Sequence, residues 1–123
     1  MKTPAEFVEE WMKTICSNNV EAIVSMYKEE AVLLGTLDNK LRKGSGEIKE
    51  YFNLFVKLQP CGKITSLVEE DFGHRRVGVA NGTYDFELSE NGEKTITPAR
   101  FTFVLERAGT KWKIHSHHSS KKP

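Results

Sequence analysis

Three histidines, His115, His117 and His118, fall in the last apolar run of the sequence, Lys111 to Ser120, and their type and spacing invite chemistry. An imidazole titrates near neutral pH, so it can act as general acid, general base, metal ligand or hydrogen-bonding partner. Strand alternation puts Trp112 and Ile114 on one face and His115 and His117 on the other. In the preceding run, Phe101, Phe103 and Leu105 share a face opposite Arg100, Thr102, Val104 and Glu106. Pairing of the two runs sets His115 and His117 beside Phe101 and Phe103. A carboxylate would complete an acid/base pair, and Asp85, facing inward with Thr83, is the candidate. Desolvation would raise the Asp85 pKa, and a neighbouring imidazolium would lower it. Tyr27, Tyr51 and Tyr84 offer hydroxyl donors to the same space. The plainer reading leaves Asp85 at a strand edge in water, with the histidines satisfying one another or backbone carbonyls.

Arg100 is the next candidate, because an always-charged guanidinium inside an apolar strand region needs a partner. That partner is either a carboxylate such as Asp71, Asp85 or Glu87, or the acidic end of a ligand. Metal binding finds little footing. His115 and His117 lie roughly 7 Å apart along a strand, stretched for one ion, and His118 points the other way. No metal or organic cofactor is expected. Nucleophilic catalysis lacks a GxSxG elbow, and neither a phosphate loop nor a dinucleotide fingerprint is present. His74 stands in the turn Gly73-His74-Arg75-Arg76 and reads as solvated.

The elements that must hold these residues are legible from periodicity. Thr3-Pro4-Ala5-Glu6 is a helix start with a capping box, followed by Phe7, Val8, Trp11, Met12 and Ile15 at helical spacing. Ser17-Asn18-Asn19 ends that helix and caps a short second one from Val20 to about Tyr27. A strand over Ala31–Gly35, a turn at Asp38-Asn39 and a short return strand at Leu41–Gly44 come next. Ser45-Gly46-Glu47 opens a third helix bearing Ile48, Tyr51, Phe52, Phe55 and Val56, stopped by Pro60 and Gly62. Strands are then expected over 63–72, 75–88, 94–107 and 111–120, with hairpin turns at Ser89–Gly92 and Ala108–Thr110. Only Lys121-Lys122-Pro123 reads as a loose end. Helices early and strands late argue a single α+β domain over residues 1–123, with helices covering one face of a sheet.

Composition bounds the setting. The chain has 123 residues and a formal charge of +1, from 18 basic and 17 acidic residues, so no global field favours nucleic acid or an anionic membrane. No apolar run is long enough to span a bilayer. The first residues lack the apolar stretch of a signal peptide. Cys16 and Cys61 stand far apart without CxxC spacing, and two reduced thiols in a cytoplasmic protein are the expectation.

The element order resembles the nuclear transport factor 2-like (SnoaL-like) cone fold, with Arg42-Lys43-Gly44 and Glu47 to Phe52 matching the approach to its third helix. The pattern Ala99 to Val104, Lys111 to Ile114, then His117-His118-Ser119-Ser120 and Pro123 is similar to small bacterial proteins grouped with the association (hub) domain of calcium/calmodulin-dependent protein kinase II. The resemblance covers essentially the whole chain. It implies three helices on a curved antiparallel sheet, whose concave side forms a conical pocket and whose convex side packs on a partner. Nothing resembles a kinase domain. Eukaryotic hub domains line the pocket with arginines, but the matching positions here fall on Phe103, Ser119 and near Thr83, so anion binding does not carry over.

Two functional classes follow. The favoured one is a non-catalytic module that binds a small molecule and forms oligomers. The alternative is an isomerase- or cyclase-like enzyme of the ketosteroid-isomerase kind, using Asp85 and His117 on an apolar substrate. Either way the pocket is expected to be lined by Trp11, Tyr51, Phe101 and Phe103, with Arg100 and His117 as polar points, suiting a small apolar or weakly acidic molecule. Trp112, Ile114 and Val104 are expected on the other face, where a homodimer would cover them. A larger ring does not follow from these residues.

Overall fold

Thr3 caps the first helix as its sequence requires: its side chain accepts from the Glu6 amide, and Glu6 returns a bond to the Thr3 amide. The computed structural model describes residues 1–123. Helix α1 spans Pro4–Cys16 and buries Phe7, Val8, Trp11, Met12 and Ile15. Asn19 caps α2, Val20–Val24, through the Ala22 amide. Strand β1, Tyr27–Leu34, starts earlier than expected. The reason is tertiary: the Ile114 amide donates to the Met26 carbonyl and draws the segment into the sheet. Strand β2 is Leu41–Lys43, α3 is Ser45–Phe55, and a 3-10 turn over Val56–Leu58 precedes Pro60.

Four long strands complete the chain: β3, Cys61–Asp71; β4, Val77–Glu90; β5, Glu93–Ala108; and β6, Lys111–Lys121. They join one six-stranded sheet in the order β2-β1-β6-β5-β4-β3. Every neighbouring pair is antiparallel except β1 and β6, which run parallel. The final strand is therefore central, between the first strand and β5. Helices α1 and α3 lie on the concave face, over a core that includes Trp11, Phe52, Tyr84, Phe103 and Ile114.

Curvature comes from extra residues. Thr65 is an extra residue in β3 opposite β4, and His115 an extra residue in β6 opposite β5. Each bulge bends its strand and increases local twist. Gly82 sits beside the first bulge because a Cβ there would stand 2.1 Å from the Ser66 carbonyl oxygen and 2.9 Å from the Phe101 ring.

The second bulge overturns the expected alternation of the last strand. With His115 looped out, Trp112, Ile114, His117 and Ser119 all point inward, and His115 and His118 are exposed. Trp112 is thus a core residue, donating from Nε1 to the Lys2 carbonyl at 2.9 Å, with the Arg107 guanidinium 3.8 Å from its ring centre. The expectation that Trp112 and Ile114 face a partner fails. No element covers the outer face. Its central row runs Leu41, Leu34, His118, Thr102, Asn81 and Val68, and Leu41, Val68 and, further along, Ile96 are well exposed.

The cysteines also depart from expectation. Cys16, ending α1, and Cys61, opening β3, form a disulfide across a separation of 45 residues. The pairing removes the premise of free thiols on which a cytoplasmic setting rested. No helix is long and apolar enough to cross a membrane.

Candidate functional site

The cone interior is built where β4, β5 and β6 present Tyr84, Phe101, Phe103, His117 and Ser119 toward Trp11 of α1 and Tyr51 of α3. His117 stands at its centre. Its ring stacks on Phe103 with centroids 3.9 Å apart and meets the Trp11 ring edge-on at 5.2 Å. Tyr84 stacks on Phe101 at 4.6 Å. These contacts follow from the sheet register, which sets Phe103 directly opposite His117 and Phe101 opposite Ser119.

Buried polar atoms here are joined in one chain. Tyr84 donates to Ser119 Oγ at 2.5 Å, so its oxygen is free to accept from His117 Nε2, 3.3 Å away. That fixes the Nε2–H tautomer and leaves Nδ1 to accept from the Tyr27 hydroxyl at 2.9 Å. Tyr27 in turn accepts from Trp11 Nε1 at 3.3 Å, and Ser119 meets Thr36 Oγ1 at 2.6 Å. Each donor is used once, in one direction, from Trp11 through Tyr27, His117 and Tyr84 to Ser119, which shares a further hydrogen bond with Thr36. The whole array is neutral. Burial, aided by the nearby His118, pushes the His117 pKa down to about 3. Burial also holds the Tyr27 and Tyr84 hydroxyls well above the usual phenol range, and raises Tyr51 to about 12.

Little space remains. A void of about 10 Å³, lined among others by Gly35, Thr36, Tyr51, His117 and Ser119, is what is left of the cone. That is close to the room needed by one water molecule. A Cβ on Gly35 would lie 2.3 Å from the Tyr51 ring, so the segment after β1 closes tightly over this void.

Trp11, Tyr51, Phe101, Phe103 and His117 are thus brought together, while Arg100 and Asp85 are not. Both point to the outer face. Arg100 is exposed between Thr83 and Ser120, and Asp85 is half-buried between Lys63 and Pro98. The sheet separates Asp85 from His117, so the proposed acid/base pair does not form. Alternation about buried Tyr84 and Phe86 is the reason. His115 leaves the interior and meets the Glu106 carboxylate, Nδ1 to Oε1, at 3.0 Å. His74 is exposed in a 3-10 turn.

Arg42 carries no signature of its position. On Leu41-Arg42-Lys43 the arginine turns inward, 4% exposed, while the leucine turns out. Its Nη2 donates to Asp38 at 3.0 Å, its guanidinium lies 5.4 Å from the Tyr51 ring centre, and Nε and Nη1 have no protein partner. Thr36 and Ser119 are equally silent in sequence, being small hydroxyls whose value lies in what they meet.

Comparison with known proteins adds a family. The family model described as "Calcium/calmodulin dependent protein kinase II association domain" matches residues 3–123. A solved association domain of that description from Xanthomonas campestris is 30% identical, with a TM-score of 0.89, covering 100% of this chain and 94% of its own. The hub homology domain of Chlamydamonas reinhardtii is 19% identical, with a TM-score of 0.74 and coverage of 94% and 92%. A ketosteroid isomerase-like protein from Erwinia carotovora atroseptica is 16% identical, with a TM-score of 0.74 and coverage of 92% and 89%. The last two share the fold. No curated protein sequence matches the chain.

Proposed function

Since this chain belongs to the calcium/calmodulin-dependent protein kinase II association domain family, we propose that it is a non-catalytic module which assembles with copies of itself through the outer face of its sheet. The observation that carries this reading is that face: six strands with nothing over them, bearing Leu34, Leu41 and Val68 exposed and Val32, Val79 and Val104 half-buried. A contiguous apolar patch on a protein surface marks a partner site, and Val79, Val104 and Val32 stand in one row across this face, interrupted only by Ser116. A stable homodimer would cover roughly 800 Å² on each copy. Light scattering at micromolar concentration is expected to give at least twice the 14.0 kDa of one chain. Leu34→Lys with Val104→Lys should reduce that mass to one chain without altering the circular dichroism. A wild-type monomer under those conditions overturns the reading.

A second reading, favoured by the buried polar chain, keeps the cone as a small-molecule site. Trp11, Tyr51, Phe101, Phe103 and His117 would contact a small apolar or weakly acidic ligand, admitted when Thr36 releases Ser119. The neutral His117 and the hydroxyls of Tyr84 and Ser119 suit hydrogen bonding to such a ligand. Proton-transfer catalysis is not favoured, because no carboxylate shares the interior with His117. Thermal-shift screening with small carboxylates and steroids tests this. A rise in melting temperature that His117→Phe removes would support it, and no rise with any compound would end it.

A further inference from the structure

We propose that Cys16–Cys61 is a thiol–disulfide exchange site, a reducible latch that fastens the C-terminal end of α1 to strand β3. Three observations outside the cone support it. The first is what the bond joins. Helix α1 supplies the Trp11, Met12 and Ile15 wall of the interior, whereas β3 is an edge strand with no buried residue along its length. Beyond its ladder to β4, β3 meets the core through half-buried Ile64 and Leu67, and the covalent link ties its first residue to the last residue of α1.

The second observation is access. Cys61 is exposed and Cys16 half-buried. Open grooves flank the bond on both sides, about 350 Å³ along α1 and about 470 Å³ on the outer face. Exposed disulfides are the labile ones, in contrast to those sealed in a core. Charge is the third. Lys13 and Lys63 line the α1 groove against the single carboxylate of Glu9, while Lys63 faces Asp85 and Glu87 in the other groove. A thiolate is therefore drawn to the α1 side, where Cys16 lies.

The reactant class is a dithiol. One of its thiolates attacks Cys16 Sγ, the Cys16–Cys61 bond breaks, and Cys61 leaves as a thiolate that takes up a proton. The second thiol of the reductant then displaces Cys16 from the mixed disulfide. Two protein thiols result, and the dithiol leaves oxidised to its own disulfide. Reduction frees the end of α1 from β3 and lowers protection of both.

The test treats the whole folded chain with dithiothreitol in native buffer, followed by alkylation, mass measurement and hydrogen exchange. Expected are two alkylated cysteines without denaturant, faster exchange confined to residues 12–16 and 61–66, and a melting temperature lower by on the order of 10 °C. The double variant Cys16→Ser, Cys61→Ser should melt at that lower temperature with or without dithiothreitol. Should it fail to fold, exchange on the reduced wild type still decides. A disulfide that yields only in urea, thiols that stay free in the oxidised protein, or unchanged exchange at α1 and β3 would each overturn the proposal.

Discussion

His117 shows how one buried side chain ties stability to pH. Desolvation holds its folded pKa at about 3, whereas in the unfolded chain it reverts toward 6.5. Above pH 6.5 both states carry a neutral ring and the group adds no pH dependence. Below it the unfolded chain takes up a proton that the folded chain refuses, so stability falls as pH drops from 6.5 toward 3. Between pH 7 and pH 5 the loss should be about 2 kcal/mol, read from urea melts. The carboxylates with lowered pKa values, Glu6, Asp71 and Glu106, act only below their ordinary values of 4.5, 3.8 and 4.5, outside that window. His117→Gln should flatten the dependence, and an unchanged slope would mean another group is responsible. Trp112 belongs to the same scale. With its ring 4% exposed and its N–H bonded, Trp112→Ala should cost about 3–5 kcal/mol.

At the scale of the element, the single extra residue at His115 decides which side chains the last strand buries. Side-chain direction has a period of two, so one inserted residue exchanges the faces beyond it. Deleting His115 would leave either Trp112 and Ile114 or His117 and Ser119 facing water. That variant is expected to lose its cooperative thermal transition, and retention of the wild-type transition would show that the strand tolerates the slip. The same residue marks the limit of what sequence conveys. Helix α1 was legible to its cap, since Thr3, Pro4 and Glu6 act within one turn, and α3 was legible from its apolar spacing and from Pro60. Alternation located Phe101 and Phe103 correctly because no bulge interrupts β5 there. It misplaced Trp112 and Ile114 because a bulge leaves no residue-type mark, and Asp85 because its strand's phase is set by Tyr84 and Phe86. The Cys16–Cys61 pairing depends on α1 ending beside β3, a relation spanning 45 residues that no local pattern encodes.

The whole molecule is a helix-backed sheet whose inner side is nearly solid and whose outer side is open, so its two faces suit different tasks. A closely packed interior gives a rigid wall, and a rigid wall keeps the strands of the outer face in register. The position of β6 has a further consequence, in the order of events by which the chain takes shape. As a ribosome delivers the sequence, α1, α2, β1, β2 and α3 emerge first, and β3, β4 and β5 form a meander later. The two groups have no shared strand until Lys111–Lys121 arrives between β1 and β5. Closing so distant a pair is slow, on the order of milliseconds to seconds. Stalled nascent chains exposing residues 1–110 should be cut readily by protease, and those exposing 1–121 should resist. During synthesis, then, His117 and Ser119 are the last residues added to the aromatic wall, whose centre stays open until they arrive.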